Sequence, residues 1–332
     1  MALKILVTDY NWPSLDIERE VLRRAGAELV VAETGTEAEF IRLAADVAGI
    51  LTCWKNVTPA VLDAAPHCRT VARYGVGLDN IAVSHATELG MVVTNVPDYC
   101  YEEVSDHAMA LLLACARKVA SFAAATSAGR WDLKAGWPLP RLRGQTLGII
   151  GFGRIGRALA PKAAGFGLKV VVYSPREPQD RPSDVRWTNN LDEVLAQSDY
   201  ISLHVPLTDA TRGLINAATL AKMKPSAYLI NTARGAVIDE AALLAAVQQK
   251  VIAGAALDVL TTEPPPPGHP LMGQPGIILT PHAAFYSEAA IEELQQKAAE
   301  HVAQALRGEW PDNVVNPQVR GQANYRAVGQ AG

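Results

Sequence analysis

The segment LGIIGFGRIG at positions 147–156 decides the fold of this chain, because it joins a short apolar run to a Gly-x-Gly-x-x-Gly turn. A helical pattern follows the turn, and a second apolar run occupies positions 168–173. In such a unit Gly151 permits a tight turn, Gly153 lets the backbone approach phosphates, and Gly156 lets helix and strand pack closely. The phosphates bind backbone N–H groups at the positive end of the helix dipole. The glycines alone would indicate only a tight turn, but the strand–turn–helix–strand order predicts a dinucleotide-binding βαβ unit.

Size and composition limit the class of protein. A chain of 332 residues is too long for one small core and suits two domains. Its 49% hydrophobic and 19% charged residues are typical of a soluble globular protein, and a net charge of −4 gives no argument for nucleic acid or an anionic membrane as partner. Positions 1–5 enter a strand pattern without a signal-peptide cleavage region, and the most apolar helical stretch, 108–126, contains Arg117 and Lys118. We therefore expect a cytoplasmic protein without a membrane-spanning helix.

The cysteines indicate neither a metal site nor a disulfide framework. Cys53, Cys68, Cys100 and Cys115 include no Cys-x-x-Cys pair. We expect buried, reduced thiols and no bound metal.

Strand and helix signals alternate along nearly the whole chain, which predicts an α/β protein with doubly wound parallel sheets. Because the dinucleotide fingerprint lies in mid-chain, we predict that a dinucleotide-binding domain, 100–285, is inserted in a substrate-binding domain formed by 1–99 and 286–332. The polar segment 318–332 is expected to be loosely ordered. The predicted strands are 4–8, 29–32, 49–52, 69–73, 91–94, 147–150, 168–173, 200–205, 227–231, 254–257 and 277–280.

Three polar residues follow predicted strands, where a doubly wound sheet opens toward its ligand. They are Arg234 in NTARG, Glu263 in DVLTTEP and His282 in TPHAA. A carboxylate beside an imidazole favours the protonated ring, which can give its proton to a developing alkoxide. A guanidinium can grip a substrate carboxylate and polarise the adjacent carbonyl. Each residue alone could be an ion pair, a loop acid or a cap, but together they predict reduction of a 2-oxo acid by a nicotinamide hydride.

Over positions 1–316 the chain resembles the D-isomer-specific 2-hydroxyacid dehydrogenases. The matching motifs are YGVGLDNI at 74–81, the glycine fingerprint, HVPLT at 204–208, NTARG at 231–235, ALDV at 256–259 and TPH at 280–282. Within that family, PDYC at 97–100 and HAAFYS at 282–287 are most similar to the branch of the corepressor C-terminal-binding protein and its bacterial phosphoglycerate-dehydrogenase-like relatives. The resemblance implies two Rossmann-like domains and an NAD(P)-dependent enzyme. It also implies a homodimer, which the apolar helix 108–122 and the Trp/Pro-rich arm 131–140 favour independently.

The resemblance also implies which residues form the site. Arg234 would anchor the substrate, His282 would be the general acid/base and Glu263 its partner. The N–H groups of Val76 and Gly77 would hold the substrate carboxylate, and Asp258 the nicotinamide carboxamide. Aromatic residues, each of which could equally be part of a core, would line the substrate pocket: Trp54, Tyr74, Tyr101 and Phe285. The remaining cofactor-binding residues would be Gly151, Gly153, Arg154, Ile155, Gly156, Ser174, Arg176, His204, Val205, Pro206, Thr211, Thr232 and Ala233.

One departure from the family pattern concerns the choice of cofactor. NAD-selective members carry an acid at the position of Ser174, where it holds the adenosine ribose and repels the extra phosphate of NADP. Here Arg176 and Arg181 follow the serine and could pair with a 2′-phosphate. Glu177 and Asp180 lie nearby, so a solvated loop that still binds NAD is the alternative. The sequence favours NADP over NAD.

A second departure concerns the substrate. Phosphoglycerate dehydrogenases carry a basic residue at the position of Thr52, and this chain therefore departs from their pattern there. Arg73 does fit their pattern. Lys55 is basic but lies three residues after Thr52. We therefore expect a reductase of the glyoxylate and hydroxypyruvate type, with 3-phosphoglycerate dehydrogenase as the alternative enzyme. A third hypothesis, an NAD(H)-sensing corepressor-like binding protein, is weakened because such a protein would not need Arg234, Glu263 and His282.

Overall fold

The computed structural model describes residues 2–326. The chain forms two compact units, one containing residues up to Tyr99 and from Ser287 onward, the other spanning Cys100–Tyr286. The predicted borders at 99/100 and 285/286 lie beside these divisions. The ligand that each unit binds remains a prediction.

The described residues form twelve β-strands. They are β1 Leu3–Val7, β2 Ala27–Val31, β3 Val47–Thr52, β4 Thr70–Arg73, β5 Val92–Thr94, β6 Thr146–Ile150, β7 Lys169–Tyr173, β8 Val185–Thr188, β9 Tyr200–Leu203, β10 Tyr228–Asn231, β11 Gly254–Leu257 and β12 Ile277–Leu279.

Eleven α-helices accompany these strands in the described part of the chain. They are α1 Asp16–Arg24, α2 Glu37–Ala44, α3 Pro59–Asp63, α4 Val83–Glu88, α5 Tyr101–Arg117, α6 Val119–Ser127, α7 Arg154–Gly165, α8 Leu191–Gln197, α9 Ala217–Leu220, α10 Glu240–Gln248 and α11 Glu288–Leu306.

The first unit contains a five-stranded parallel sheet in the order β2-β1-β3-β4-β5. This is a doubly wound order that reverses between β1 and β3. Strand β3 is buried along its whole length, as expected for a parallel strand covered on both faces. Helix α11 begins at the Ser287 cap, whose hydroxyl accepts a hydrogen bond from the N–H of Ala290.

The second unit contains a seven-stranded parallel sheet in the order β12-β11-β10-β9-β6-β7-β8. Six of these strands follow the Rossmann order, which reverses between β6 and β9. The fold class predicted from the sequence is confirmed. Strand β8 is absent from the prediction, because its sequence VRWT is only partly buried and carries no strong apolar run.

The long helix predicted across 108–126 is two helices. Lys118 adopts a left-handed conformation with φ 54°, and it separates α5 from α6 at a bend of 64°. Within residues 2–326 no single helix is long and apolar enough to cross a membrane; only α5 and α6 taken together pass by length and composition.

The prediction of a loosely ordered C-terminal segment is wrong for residues 318–326. A short 3-10 helix covers Pro317–Gly321, and the Arg326 guanidinium donates to the carbonyl oxygens of Ala65 and Cys68 at 2.8 and 3.0 Å. These contacts join the segment to the first unit, and a polar composition does not reveal them. Residues 327–332 lie outside the described part.

Candidate active site

The glycine turn lies between β6 and α7, where the order of the second sheet reverses. Gly151 has φ +95°, and a Cβ on it would lie 2.5 Å from the carbonyl oxygen of His204. A Cβ on Gly156 would lie 2.4 Å from the Gly151 oxygen, whereas one on Gly153 would meet nothing within 4 Å. Gly151 and Gly156 therefore permit close packing of the chain on itself, and Gly153 leaves open space.

The start of α7 fits a dinucleotide pyrophosphate. Its N-cap, Gly153, supplies no side-chain hydrogen bond to the helix. The N–H groups of the first turn, Arg154, Ile155 and Gly156, have no intrahelical acceptors. They lie beside the open space at Gly153 and at the carboxyl end of β6, the place at which such sheets bind nucleotides. The residues present therefore suit this group.

Two further strand ends carry predicted cofactor residues. After β9, the Nε2 of His204 lies 2.8 Å from the Ser202 hydroxyl, and burial lowers the pKa of this histidine to about 4, so its ring is neutral near pH 7. After β10, the Thr232 hydroxyl is buried and has no hydrogen-bond partner within residues 2–326. A buried hydroxyl without a partner is unfavourable, so this atom suits a ligand group.

The loop after His204 is held by its own side chains. The Thr211 hydroxyl donates to the carbonyl oxygen of Pro206 at 2.6 Å and accepts from the N–H of Thr208 at 2.8 Å. The side chain of Thr211 thus shapes the turn that contains Pro206 and Thr208, and its role in cofactor binding remains a prediction.

The end of β7 differs from the prediction in one respect. The Ser174 hydroxyl donates to the carbonyl oxygen of Arg176 at 2.6 Å, and the Arg176 side chain is exposed. Arg181, however, pairs with Glu177 at 2.9 Å and also donates to the carbonyl oxygen of Val185. Arg176 is therefore the better placed of the two cations for a phosphate.

His282 and Glu263 form a direct pair. Nδ1 of His282 lies 2.5 Å from Oε2 of Glu263, and Oε1 of the glutamate accepts the N–H of Leu260 at 2.8 Å. Both side chains are partly exposed, 23% for the histidine and 31% for the glutamate. Glu263 can therefore orient the ring while the site remains open to a ligand.

Arg234 follows β10 in a turn shaped by Asn231. The Asn231 side chain accepts from the N–H of Ala233 and donates to the carbonyl oxygen of Arg234, both at 2.9 Å. Gly235 comes next, and a Cβ there would lie 2.0 Å from the carbonyl carbon of Leu260. This close approach brings the backbone that carries Arg234 against the loop that leads to Glu263.

The buried carboxylate of Asp258 supports the loop that carries His282. His282 itself has a left-handed backbone conformation, with φ 53°. Asp258 accepts the N–H groups of Ala283 and Ala284 at 2.9 and 2.8 Å and the Thr280 hydroxyl at 2.5 Å. Its side chain is completely buried. The structure thus gives Asp258 a part in holding this loop, and binding of a nicotinamide carboxamide remains a prediction for it.

His107 on α5 is a neighbour that the sequence analysis missed. Its Nε2 lies 3.0 Å from the Thr280 hydroxyl and 3.5 Å from Asp258 Oδ1. The signal that could have found it is a histidine directly before the apolar stretch of this helix, 108–116.

In the first unit, the two residues predicted to bind the substrate carboxylate, Val76 and Gly77, lie in the turn after β4. The carbonyl oxygens of Gly75 and Val76 accept from the Val96 N–H at 3.0 Å and from the Asn95 side chain at 2.7 Å. Within the described residues the N–H groups of Val76 and Gly77 have no hydrogen-bond acceptor. Two neighbouring amides of this kind suit an anion.

The aromatic residues predicted to line a pocket differ in burial. The Tyr74 side chain is buried in the core of the first unit, so its ring packs in a core instead of lining an open pocket. Trp54 is partly exposed, and the Arg73 guanidinium lies 5.7 Å from its ring centre. In the second unit Phe285 stands edge-on to His282 at 6.2 Å between ring centres, and Tyr101 is partly exposed at the start of α5.

Comparisons with known proteins by family profile, by sequence and by structure all lead to dehydrogenases and reductases of 2-hydroxy and 2-oxo acids. The NAD-binding-domain profile of the D-isomer-specific 2-hydroxyacid dehydrogenases matches residues 109–284. The glyoxylate reductase of Korarchaeum cryptofilum is 42% identical over 78% of this chain and 79% of its own length. The D-3-phosphoglycerate dehydrogenase of Methanocaldococcus jannaschii is 37% identical over 95% of this chain and 59% of its own length. A crystal structure of the NADPH-dependent glyoxylate/hydroxypyruvate reductase of Sinorhizobium meliloti, in complex with NADP and malonate, superposes with a TM-score of 0.85 at 31% identity, covering 98% of both chains.

Proposed function

Because this chain belongs to the D-isomer-specific 2-hydroxyacid dehydrogenase family, and is therefore an NAD(P)-dependent oxidoreductase of 2-oxo acids and D-2-hydroxy acids, we propose that it reduces glyoxylate and hydroxypyruvate, with NADPH as the preferred cofactor. The observation that carries the proposal is the 2.5 Å pair of His282 and Glu263 at the strand ends of a Rossmann sheet. Relatives named for the same substrates support it.

Each catalytic residue has a distinct task. In reduction, protonated His282 gives a proton to the substrate carbonyl oxygen as that oxygen gains negative charge. Because Nδ1 is bound to Glu263, the transferred proton comes from Nε2. The Glu263 carboxylate stabilises the imidazolium and keeps the ring in one orientation. Arg234 binds the substrate and polarises its carbonyl through a charge-assisted hydrogen bond.

Substrate and cofactor are held mainly by backbone groups. We propose that the N–H groups of Val76 and Gly77 bind the substrate carboxylate. The first turn of α7 would bind the pyrophosphate, and the hydroxyl of Thr232 would meet the nicotinamide half. The bound nicotinamide supplies the hydride for reduction.

The preference for NADPH rests on Ser174 and Arg176. A serine at this strand end does not repel a 2′-phosphate, and the exposed guanidinium of Arg176 can pair with it. Arg176→Ala should lower kcat/KM for NADPH by about 10-fold and leave NADH little affected, the size expected for a lost charged contact. Arg186→Ala removes another exposed arginine of this unit and serves as the control. An equal loss with both cofactors would contradict the assignment.

Oxidation of 3-phosphoglycerate is the second candidate, favoured by the match to the Methanocaldococcus jannaschii enzyme along 95% of this chain. Two observations weigh against a phosphorylated substrate. Thr52, at the position expected to be basic, is buried and donates to the carbonyl oxygen of Lys55 at 3.0 Å. Arg73 is buried and already donates to the carbonyl oxygen of Tyr74 at 2.5 Å.

We further propose that the protein is a cytoplasmic homodimer. Helix α6 has no buried residue, and the arm that follows exposes 94% of Trp131, 72% of Leu133 and 65% of Trp137. A cleft of about 370 Å³ runs between α6 and this arm. Such a contiguous apolar surface is typical of a subunit interface. The four free, buried cysteines suit a reducing compartment.

The decisive experiment is a set of initial rates with glyoxylate, hydroxypyruvate, pyruvate and a bulky 2-oxo acid, each with NADPH and with NADH. Oxidation of 3-phosphoglycerate and D-glycerate is measured alongside. We expect the highest kcat/KM for glyoxylate or hydroxypyruvate with NADPH. Rates no higher than those of a His282→Ala preparation would overturn the proposal, and a clear preference for 3-phosphoglycerate would establish the second candidate.

A further inference from the structure

A buried acid stands behind the turn that carries Val76 and Gly77. Glu18 on α1 has no exposed surface, although most glutamates of a soluble protein lie in water. Its Oε1 accepts from the Tyr74 hydroxyl at 3.0 Å, and its Oε2 accepts from the Gln295 side chain on α11 at 3.0 Å. The cluster thus connects two helices with the first residue of the turn.

Core stability does not explain an acid at this position. Burial raises the pKa of Glu18, and the hydrogen bonds from Tyr74 and Gln295 oppose that shift only in part. A raised pKa means that the folded state disfavours the carboxylate. Stability that is present below the ordinary pKa of a glutamate is therefore lost as the pH rises through the raised value. An apolar side chain of similar size would avoid this loss.

Glu18 fixes the side chain of Tyr74. The tyrosine ring packs edge-on against Trp12 at 4.7 Å between ring centres, and its hydroxyl donates a hydrogen bond to Glu18. Its backbone N–H donates to the carbonyl oxygen of Thr52 at 2.8 Å. The next residue, Gly75, has φ +134°, and a Cβ on it would lie 1.7 Å from a guanidinium nitrogen of Arg73. The conformation of the turn therefore depends on where its first residue is fixed.

We propose that Glu18 is a positioning residue, which acts through the Tyr74 hydroxyl to hold the turn with the N–H groups of Val76 and Gly77 available to a carboxylate. This inference rests on the carboxylate-binding role proposed above for those two amides. Loss of the hydrogen bond lets the turn shift, which weakens the grip on the substrate acid. Neither the glycine turn of the cofactor site nor the pair of His282 and Glu263 belongs to this unit, so cofactor affinity and proton transfer are much less affected.

The test compares Tyr74→Phe, Glu18→Leu and Glu18→Gln with the wild type. Tyr74→Phe removes only the hydroxyl, Glu18→Leu removes the acceptor, and Glu18→Gln retains an acceptor oxygen for Tyr74. The control is Tyr325→Phe, which also removes a tyrosine hydroxyl from the first unit, but at a tyrosine of the C-terminal segment that packs against Trp310. The readouts are KM and kcat for glyoxylate, the dissociation constants of malonate and NADPH by calorimetry, and the urea midpoint of unfolding.

We expect Tyr74→Phe and Glu18→Leu to raise the glyoxylate KM and the malonate dissociation constant together, by about 10-fold, the effect of one lost hydrogen bond to a charged group. Changes in kcat and in NADPH affinity should be much smaller. Glu18→Gln should recover most of the loss. Glu18→Leu should lower the urea midpoint somewhat, because it leaves the buried Tyr74 hydroxyl and the Gln295 amide without an acceptor. Tyr74→Phe removes the donor itself and should leave the midpoint nearer to that of the wild type.

Two results would overturn the inference. One is an unchanged malonate affinity and KM in both Tyr74→Phe and Glu18→Leu. The other is a parallel loss of malonate affinity, NADPH affinity and stability, which would indicate general loosening of the unit. A wild type that reduces no 2-oxo acid would end the proposed function, but the malonate titration would still decide the role of Glu18, and failure of the wild type to bind malonate would reject it.

Discussion

Proton transfer at the candidate site depends on Nδ1 of His282 and Oε2 of Glu263, which lie 2.5 Å apart. The other glutamate oxygen is held by the N–H of Leu260, so the carboxylate orients the ring from a fixed position. Asp258 fixes the backbone that follows the histidine through the N–H groups of Ala283 and Ala284. Glu263 thus orients the ring and Asp258 holds the loop that carries it, which leaves Nε2 to act as the general acid.

Replacement of His282 by Ala should lower kcat for glyoxylate by about 10²–10⁴-fold, the usual contribution of a positioned acid or base. The substituted side chain lies at the end of β12, away from the turn between β6 and α7, so the NADPH dissociation constant should change little. Steady-state rates and a fluorescence titration with NADPH measure the two effects. Near-normal turnover would mean that another residue donates the proton.

Replacement of Glu263 by Gln should lower kcat for glyoxylate by about 10-fold, because it removes a charge-assisted hydrogen bond to Nδ1 of His282 and leaves the ring less firmly oriented. Glu240→Gln removes another carboxylate beside the same loop, one that accepts the N–H of Thr261, and serves as the control. Steady-state rates of both variants measure the effect. Unchanged turnover in Glu263→Gln would contradict the pairing.

At the scale of elements, the turn after β10 and the loop after β11 depend on each other. Gly235 lies so close to Leu260 that a Cβ would stand 2.0 Å from its carbonyl carbon. The preceding residue, Arg234, begins a short 3-10 helix at Gly235–Val237. Any displacement at Gly235 therefore moves both the arginine and the loop that leads to Glu263.

Gly235→Ala should therefore lower kcat/KM for glyoxylate on the order of 100-fold, because a displacement of about 1 Å in a positioned group has effects of that size. The matched control is Gly165→Ala at the end of α7, where an added Cβ meets nothing within 4 Å. Rates and circular dichroism of both variants check the expectation. If Gly235→Ala retains full activity, Arg234 does not need the position that the structure gives it.

The bounds of the eleven strands that were predicted agree with the structure to within about two positions, but the continuity of the long apolar helix did not follow from its residues. The stretch 108–126 reads as one apolar helix, yet it breaks at Lys118, which adopts a left-handed conformation. Helix α5 contributes buried residues to the second unit's core, whereas α6 has no buried residue. Apolar composition alone cannot separate a helix that covers a core from one that does not.

At the scale of the whole molecule, the exposed apolar arm leads to a prediction about assembly. The double substitution Trp131→Asp and Leu133→Asp should convert the proposed dimer into a monomer, because it buries two charges in the interface. Light scattering at micromolar concentration measures the mass. Met272→Asp, which places one charge at another exposed apolar residue, should leave the dimer intact. A monomeric wild type would reject the interface.

The sequence by itself determined the fold class and the candidate catalytic set. Apolar periodicity and the glycine turn act locally, and parallel strands place their carboxyl ends along one edge. Only the tertiary structure decided that the Tyr74 ring belongs to a core, that Arg181 is engaged by Glu177, and that His107 stands beside Asp258. Such contacts join residues far apart in the chain, or choose one partner among several nearby, and they depend on how helices pack on the sheets. A pattern read along the chain carries no information about that packing.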